Sequence, residues 1–226
     1  MSEHPEIIGG YHWRDQEHVD GWDSRKRGMA SEREPGLAAL LEQLPSDTDF
    51  KLQVVDLGAG DGTVAGIVLE SYPRATAVLV DFSEGMIEKG ASAMALFEGR
   101  YKYVYWDMNT ADWPEELNGP FDAVVSSAAL HHLTDTRKNW LAKEVVTRLV
   151  PGGIFANYDL FRETSAVFTG EHAAHNQTCA TLADAEQSLV DAGCEVLMTA
   201  RAPRPRHPGL ELALLVGRKP SGVDHG

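Results

Sequence analysis

The chain has 226 residues, of which 43% are hydrophobic, and a formal net charge of −14 at pH 7. This length and composition suit one α/β domain with a substantial core and small additions. The acidic balance disfavours broad nucleic-acid binding, because an acidic surface repels phosphate backbones. Two cysteines do not form a disulfide framework, and neither a secretory signal nor an apolar run of ~20 residues is recognisable. We therefore expect a cytoplasmic protein that does not act at a membrane, as a monomer or a homodimer.

The first fifty residues differ in composition from the rest of the chain. Residues 11–33 are polar and aromatic, and residues 37–44 read as a short amphipathic helix that ends before Pro45. This segment is too polar to hold a core by itself. We expect residues 1–50 to form an N-terminal helical cap that packs on or over a main domain of residues 51–220.

From Leu52 onward, apolar runs that suit strands alternate with amphipathic runs that suit helices. Strands are predicted at residues 51–56, 75–81, 101–107, 121–127, 154–158, 195–200 and 210–216. Helices are predicted at residues 62–70, after Ser83, over residues 140–150 and after Thr181. Such alternation predicts an α/β fold of the Rossmann-like, doubly wound kind. The expected sheet is seven-stranded and mostly parallel, with one antiparallel edge strand.

A glycine-rich loop follows the first strand, in the run Val54-Val-Asp-Leu-Gly-Ala-Gly-Asp-Gly-Thr63. Its glycines allow a tight turn and the close approach of a ligand, because no Cβ intervenes. A pyrophosphate-binding loop favours glycine at the position of Thr63 and does not usually keep acids such as Asp56 and Asp61. Two carboxylates suit a ligand that carries an ammonium and a sulfonium. The alternative is a tight strand-to-helix turn that binds no ligand.

The next two strands also end in acids. Asp81 lies twenty-one residues after Gly60, where a carboxylate can accept hydrogen bonds from ribose hydroxyls. Its alternative role is that of an acid stabilised by the dipole of the helix that starts at Ser83. Asp107 can accept from an adenine amino group while Met108 packs on the ring, or it is an ordinary turn acid.

These motifs, together with Phe121–Leu133 and Leu149–Ile154, resemble class I S-adenosylmethionine-dependent methyltransferases over about residues 50 to 160. The resemblance implies S-adenosyl-L-methionine as cofactor and S-adenosyl-L-homocysteine as product. It also implies a cofactor site made of the glycine loop and the residues at the strand ends. Asp56 lies beside this loop; Gly58, Ala59 and Gly60 contact the methionine part, Asp81 binds the ribose with Phe82 and Met86 nearby, Asp107 and Met108 frame the adenine, and Ser126 approaches the cofactor from the fourth strand.

The segment after the fourth strand reads Leu130-His-His-Leu133, and it lacks the Asn/Asp-Pro-Pro-aromatic motif of the amino-methylating nucleic-acid enzymes. It resembles the small-molecule methyltransferases. In the phosphoethanolamine methyltransferases, a histidine at the place of His132 works with a tyrosine from the N-terminal segment, and this resemblance implies catalytic roles for His132 and Tyr11. One of the two adjacent histidines can face the cofactor while the other faces packing or solvent. We interpret His131 as a histidine at the start of a helix without a catalytic role, and the alternative is that His131 and not His132 faces the active site.

Other functions stay open at this point. A nicotinamide-dependent oxidoreductase requires a catalytic set that the sequence does not show. A binder of S-adenosylmethionine without activity, or an enzyme that uses the same cofactor for another reaction, as the carboxy-S-adenosylmethionine synthases do, is an alternative to methyl transfer. His172 and His175 share the spacing of metal ligands, but they lack a third ligand, so no metal site is predicted. The basic run from Arg201 to His207 is interpreted as a solvated loop.

Overall fold

The computed structural model describes residues 10–110, 112–169, 173–203 and 208–222, without the side chains of residues 174, 175, 202 and 203. Within this range seven strands form a single sheet. The strands are β1 (Gln53–Leu57), β2 (Thr76–Asp81), β3 (Tyr101–Tyr105), β4 (Phe121–Ser127), β5 (Leu149–Arg162), β6 (Glu195–Pro203) and β7 (Leu210–Arg218). Their order across the sheet is β3-β2-β1-β4-β5-β7-β6.

The first five strands pair in parallel, and β7 runs antiparallel to both of its neighbours, β5 and β6. The Rossmann-like, mostly parallel, seven-stranded sheet with antiparallel pairing at one side is therefore confirmed. The antiparallel strand lies one place in from the edge, because β7 is inserted between β5 and β6. The order of strands reverses between β1 and β4, and ligands bind at such a switch point in open parallel sheets.

Helices cover both faces of the sheet. They are α1 (Gln16–Asp20), α2 (Trp22–Leu41), α3 (Thr63–Ser71), α4 (Glu84–Ala93), α5 (Asp135–Arg148), α6 (Ala173–Thr178) and α7 (Leu182–Asp191). Successive strand residues alternate between two apolar cores, so that Val54 packs with α2 and α3 whereas Val55 packs with α5 and α7. In the part of the chain that the structure describes, no helix is long and apolar enough to cross a membrane.

The boundary between α5 and β5 differs from the sequence prediction. Leu149 and Val150 were expected on the inner face of the helix, but α5 ends at Arg148 and both residues belong to β5. Leu149 is buried and pairs with Phe121 of β4. The apolar pattern could not separate the two elements, because a buried helix face and a buried strand have similar composition over so few residues.

The N-terminal segment is more helical than its sequence indicated. Residues 37–41 of the helix expected at residues 37–44 are the end of α2. This helix has 20 residues, continues through Pro35 and ends at Leu41. Leu37 and Leu40 are buried in the core on the α3 face of the sheet. The hydroxyl of Tyr158 on β5 donates to the carbonyl of Glu32, at 2.8 Å, in the turn before the proline. Packing on the sheet therefore stabilises a helix that propensity alone does not favour.

Candidate functional site

A cavity of about 230 Å³ lies at the carboxyl ends of β1, β2 and β4, beneath the N-terminal segment. It therefore occupies the switch point of the sheet. The residues that line it come from the N-terminal segment with helix α2, from the glycine loop, and from the ends of the strands and the segments that follow them. They include His12, Trp13, Trp22, Met29, Glu32, Arg33, Asp56, Gly58, Ala59, Gly60, Asp61, Asp81, Phe82, Met86, Asp107, Met108, Ser127, His131, His132 and Tyr158.

The glycine loop requires glycine at its first position for two separate reasons. Gly58 has a φ of 69°, and a Cβ atom there would lie 2.3 Å from the Cβ of Ala129. No other residue type fits this backbone at this distance. The loop is also held to the neighbouring strand, since the N–H of Ala59 donates to the carbonyl of Val80 at 2.9 Å. The backbone therefore forms a fixed wall of the cavity.

Asp56 is completely buried at the end of β1. One carboxyl oxygen, Oδ2, accepts from the N–H of Ala65 at 3.1 Å, whereas Oδ1 has no hydrogen-bond partner in the described structure. The pKa of this carboxyl is raised to about 7, mainly by burial and further by the nearby Asp81 and Asp61, while the bond from Ala65 and the charge of Arg33 oppose the increase. A buried acceptor oxygen beside a cavity suits a cationic or hydrogen-bonding ligand group.

The second acid of the loop, Asp61, anchors helix α2. Its carboxylate accepts hydrogen bonds from Trp22 Nε1 at 2.8 Å, Lys26 Nζ at 2.7 Å and Thr63 Oγ1 at 2.5 Å. Burial raises the pKa of Asp61, but the bonds from Lys26, Thr63 and Trp22 outweigh burial and leave the pKa below its usual value. That this acid holds the N-terminal segment over the glycine loop could not be predicted, because Trp22 and Lys26 lie more than thirty positions away in the sequence.

Asp81 braces the same loop from β2. Its Oδ2 accepts from the N–H of Gly60 at 2.7 Å, and its Oδ1 accepts from the N–H of Ser83 at 2.9 Å. Burial raises the pKa of this carboxyl, although these backbone hydrogen bonds oppose the increase. Each carboxylate oxygen has two acceptor positions, so Asp81 retains capacity for the hydroxyls of a ligand.

The N-terminal segment also closes the end of the cavity near β3. Asp107 accepts from Arg14 Nη2 at 3.0 Å and from the N–H of Asn109 at 2.9 Å. The ring of Tyr11 packs edge-on against Phe82, with 5.9 Å between the centroids. Burial raises the pKa of the Tyr11 hydroxyl, and the charge of Asp107 raises it further. The structure thus brings Tyr11 to Asp107 and Phe82.

The predicted histidine lies in a row of imidazole rings. The centroid of His132 lies 4.0 Å from that of His131 and 5.5 Å from that of His12, which belongs to the N-terminal segment. His12 in turn lies 4.5 Å from His18 on α1. His131 contacts a buried carboxylate, since its Nδ1 lies 2.6 Å from Oδ1 of Asp159. The sequence suggested no charge partner for His131, because Asp159 lies on another strand.

Arg33 is the principal residue of the cavity that the sequence did not indicate. It extends from α2 and donates from Nη2 to Ser127 Oγ at 3.0 Å. Burial lowers the pKa of its guanidinium, while the charges of Asp61, Tyr158, Asp56 and Asp159 oppose the decrease. No motif surrounds this arginine, so only the path of α2 across the sheet reveals it.

Two of the predicted site residues are not among those that line the cavity. Tyr11 packs outside it on Phe82, and Ser126 is buried in the sheet, where its Oγ donates to the carbonyl of Leu57 at 2.8 Å. The other predicted cofactor residues and His132 all line it. No group of three or more metal-ligating side chains occurs in the described ranges, but His172 and the side chain of His175 lie outside them.

The doubly wound sheet and the acid-and-glycine cavity at its switch point define a Rossmann-like protein with a site for a small cofactor. Residues 55–155 match the family model described as a methyltransferase domain. The match to a methyltransferase domain over these residues agrees with the family resemblance that the sequence motifs imply.

Known proteins agree with this assignment. An uncharacterised methyltransferase of Mycobacterium tuberculosis is 35% identical over 103 residues, which are 46% of this chain and 48% of that protein. A trans-aconitate 2-methyltransferase of Azoarcus is 29% identical over 162 residues, or 67% of this chain and 56% of that protein. The chain thus spans about half the length of the curated relatives that it matches. The structure of an O-methyltransferase family protein from Burkholderia thailandensis superposes with a TM-score of 0.69 at 18% identity, covering 96% of this chain and 64% of the other.

Proposed function

We propose that this protein transfers the methyl group of S-adenosylmethionine to a small-molecule acceptor. The observation that carries this proposal is the presence of a buried carboxyl group and a guanidinium in one cavity. Asp56 offers a buried carboxyl oxygen without a partner, and the guanidinium of Arg33 lies at the same cavity. The amino-acid part of the cofactor carries an ammonium and a carboxylate, which these two groups fit.

The remaining residues of the cavity fit the adenosine part of the cofactor. Asp81 suits the ribose hydroxyls, because it is already oriented by two backbone hydrogen bonds. Phe82, Met86 and Met108 supply apolar surface for the adenine ring, next to the carboxylate of Asp107. When bound, the cofactor supplies an electrophilic methyl group on a sulfonium, and the cavity positions that methyl group and excludes water from it.

The N-terminal segment has the role of a cap in this proposal. We assign residues 1–50 to the cap and residues 51–220 to the methyltransferase domain. Support comes from the hydrogen bonds of Trp22 and Lys26 to Asp61, from the ion pair of Arg14 with Asp107, and from Ser83 Oγ, which donates to the carbonyl of Trp13 at 2.6 Å. These contacts hold the cap on the loops that form the cofactor site.

A small acceptor is supported by the enclosed volume of the cavity and by the relatives, one of which is named for trans-aconitate. We place the acceptor beside His131 and His132. This location agrees with the sequence analysis, which predicted that His132 lies in the active site. The net charge of −14 argues against nucleic acid as the acceptor and is compatible with a cytoplasmic protein.

Calorimetric titration tests the cofactor site. We expect S-adenosylhomocysteine to bind at one site and NAD not to bind. Replacement of Arg33 by methionine removes a charge-assisted bond of about 1.5–3 kcal/mol, so affinity for S-adenosylhomocysteine falls about tenfold or more. Affinity for adenosine, which lacks the carboxylate, stays the same.

Arg27→Met is the matched control, because Arg27 lies on the exposed side of the same helix. It leaves both affinities unchanged. Tight binding of NAD without binding of S-adenosylhomocysteine would overturn the proposed function. An equal loss of adenosine and S-adenosylhomocysteine in Arg33→Met would overturn the role of Arg33.

A further inference from the structure

A buried histidine–aspartate pair lies at the edge of the cavity, where β4 leads into the short helical segment Leu130–His132. The ring Nδ1 of His131 lies 2.6 Å from Oδ1 of Asp159, and the backbone N–H of His131 donates to Oδ2 at 3.0 Å. Asp159 on β5 is 1% exposed, and His131 is 7% exposed. The ring and the main chain of one residue are therefore both held by the same carboxylate.

The bond to Asp159 decides which ring nitrogen of His131 is basic. An ionised carboxylate only accepts hydrogen bonds, so Nδ1 carries the hydrogen and the lone pair lies on Nε2. The N–H of Leu160 donates to Oδ1 of Asp159 at 2.8 Å and fixes the carboxylate in turn. A histidine that lines a reaction cavity and is oriented by a third group has the arrangement of a general base.

We propose that His131 is the proton acceptor of the methyl-transfer reaction and that Asp159 is its positioning residue. It follows that the methyl acceptor is a nucleophile that has a lone pair and loses a proton on methylation, a hydroxyl or an amine, and not a carboxylate or a thiolate. This inference rests on the proposed function. It assigns the proton to His131 instead of His132, which packs between the rings of His131 and His12 and forms the wall beside the acceptor.

The transfer of the methyl group and of the proton requires only the residues of the cavity and the two substrates. A lone pair of the acceptor oxygen or nitrogen forms the new bond to the methyl carbon, while the carbon–sulfur bond breaks and its electron pair stays on sulfur. The proton of the acceptor passes to Nε2 of His131. Asp159 stabilises the imidazolium through the bond to Nδ1–H, and release of the proton to solvent restores the neutral ring.

The ring nitrogens of His131 can be observed by nuclear magnetic resonance without any acceptor. In the protein with ¹⁵N-labelled histidine, we expect His131 as the Nδ1–H tautomer, with its signals assigned by their loss in His131→Gln. Asp159→Asn leaves one acceptor oxygen for the three N–H groups that the carboxylate accepts from, so the hydrogen is no longer held on Nδ1 and the share of the Nε2–H tautomer increases. Asp122→Asn is the matched control, because Asp122 accepts a backbone bond from Gln53 at the other end of the sheet and leaves His131 unchanged.

Kinetics with the identified acceptor separate a positioning role from a purely structural one. We expect His131→Ala and Asp159→Asn to lower kcat by about 10²-fold or more, with the acceptor KM and the affinity for S-adenosylhomocysteine changed less than threefold. His132→Ala raises KM more than it lowers kcat.

Three results would overturn the inference: an Nε2–H tautomer of His131 in the unaltered protein, a carboxylate or thiolate as the methyl acceptor, or a normal kcat in Asp159→Asn. An Nε2–H tautomer in the unaltered protein overturns the inference even where Asp159→Asn does not fold. Lack of S-adenosylhomocysteine binding by the unaltered protein counts instead against the proposed function.

Discussion

Asp56 makes the stability of the free protein depend on pH. A carboxyl whose pKa rises from 3.8 to about 7 on folding holds its proton to higher pH than it does in the unfolded chain. Its contribution to stability is therefore complete below the unfolded pKa and is lost as the pH rises through about 7. We expect the melting temperature of the ligand-free protein to fall between pH 6 and pH 8.5, as differential scanning calorimetry can measure.

Asp56→Asn is the comparison that isolates this group, because burial also raises the pKa of Asp81. The asparagine oxygen can still accept from the N–H of Ala65, and the side chain has no charge to bury. We expect the decrease in melting temperature from pH 6 to pH 8.5 to be smaller in Asp56→Asn than in the unaltered protein. An equal decrease in both would show that Asp56 is ionised throughout this range.

Helix α2 is the element that connects the fold to the site. It crosses β5 so closely that a Cβ atom on Gly36 would lie 2.1 Å from Cζ of Tyr158. We expect Gly36→Ala to displace the helix at a cost of about 1–3 kcal/mol. Because Arg33 and Lys26 lie on the same helix, affinity for S-adenosylhomocysteine falls together with the melting temperature.

Gly28→Ala is the internal control in the same helix, since a Cβ atom on Gly28 meets nothing within 4 Å. Alanine favours a helix over glycine by about 1 kcal/mol, so this variant becomes slightly more stable and binds normally. Equal melting temperatures and affinities in Gly28→Ala and Gly36→Ala would contradict the close docking of α2 on Tyr158.

The sequence predicted the elements of the sheet better than those of the cap. Apolar runs that end in Asp56, Asp81 and Asp107 marked β1, β2 and β3, because the period of a buried strand and its acidic terminus are local features. The extent of α2 could not be predicted, because Pro35 and a polar composition argue against a helix in isolation. Its stability depends on contacts with residues more than a hundred positions away, such as Tyr158.

The same limit applies to the site. The glycine loop and its acids were recognisable as a motif, and they line the cavity. The pairing of His131 with Asp159 was not recognisable, since it depends on the register in which β4 and β5 pair. The contacts of Arg33 and Asp61 depend on where α2 crosses the loop. Sequence patterns therefore predicted residues that line the cavity, whereas the partners that orient them needed the tertiary structure.

At the scale of the whole molecule, the cap, the switch point of the sheet and the row of histidines enclose one cavity between them. Methyl transfer to a small molecule needs such an enclosure, because the reaction is fast only when the two reactants are positioned and water is excluded. The net charge of −14 disfavours the approach of polyanions to the protein.

Transfer of labelled methyl groups tests the central claim most directly. The protein is incubated with methyl-labelled S-adenosylmethionine and a cell extract that has been separated into small-molecule, protein and nucleic-acid fractions. We predict label in the small-molecule fraction only, and none with Asp81→Ala at the same cofactor concentration. Label confined to the protein or nucleic-acid fraction, or no transfer to any fraction by a protein that binds S-adenosylhomocysteine, would contradict the account.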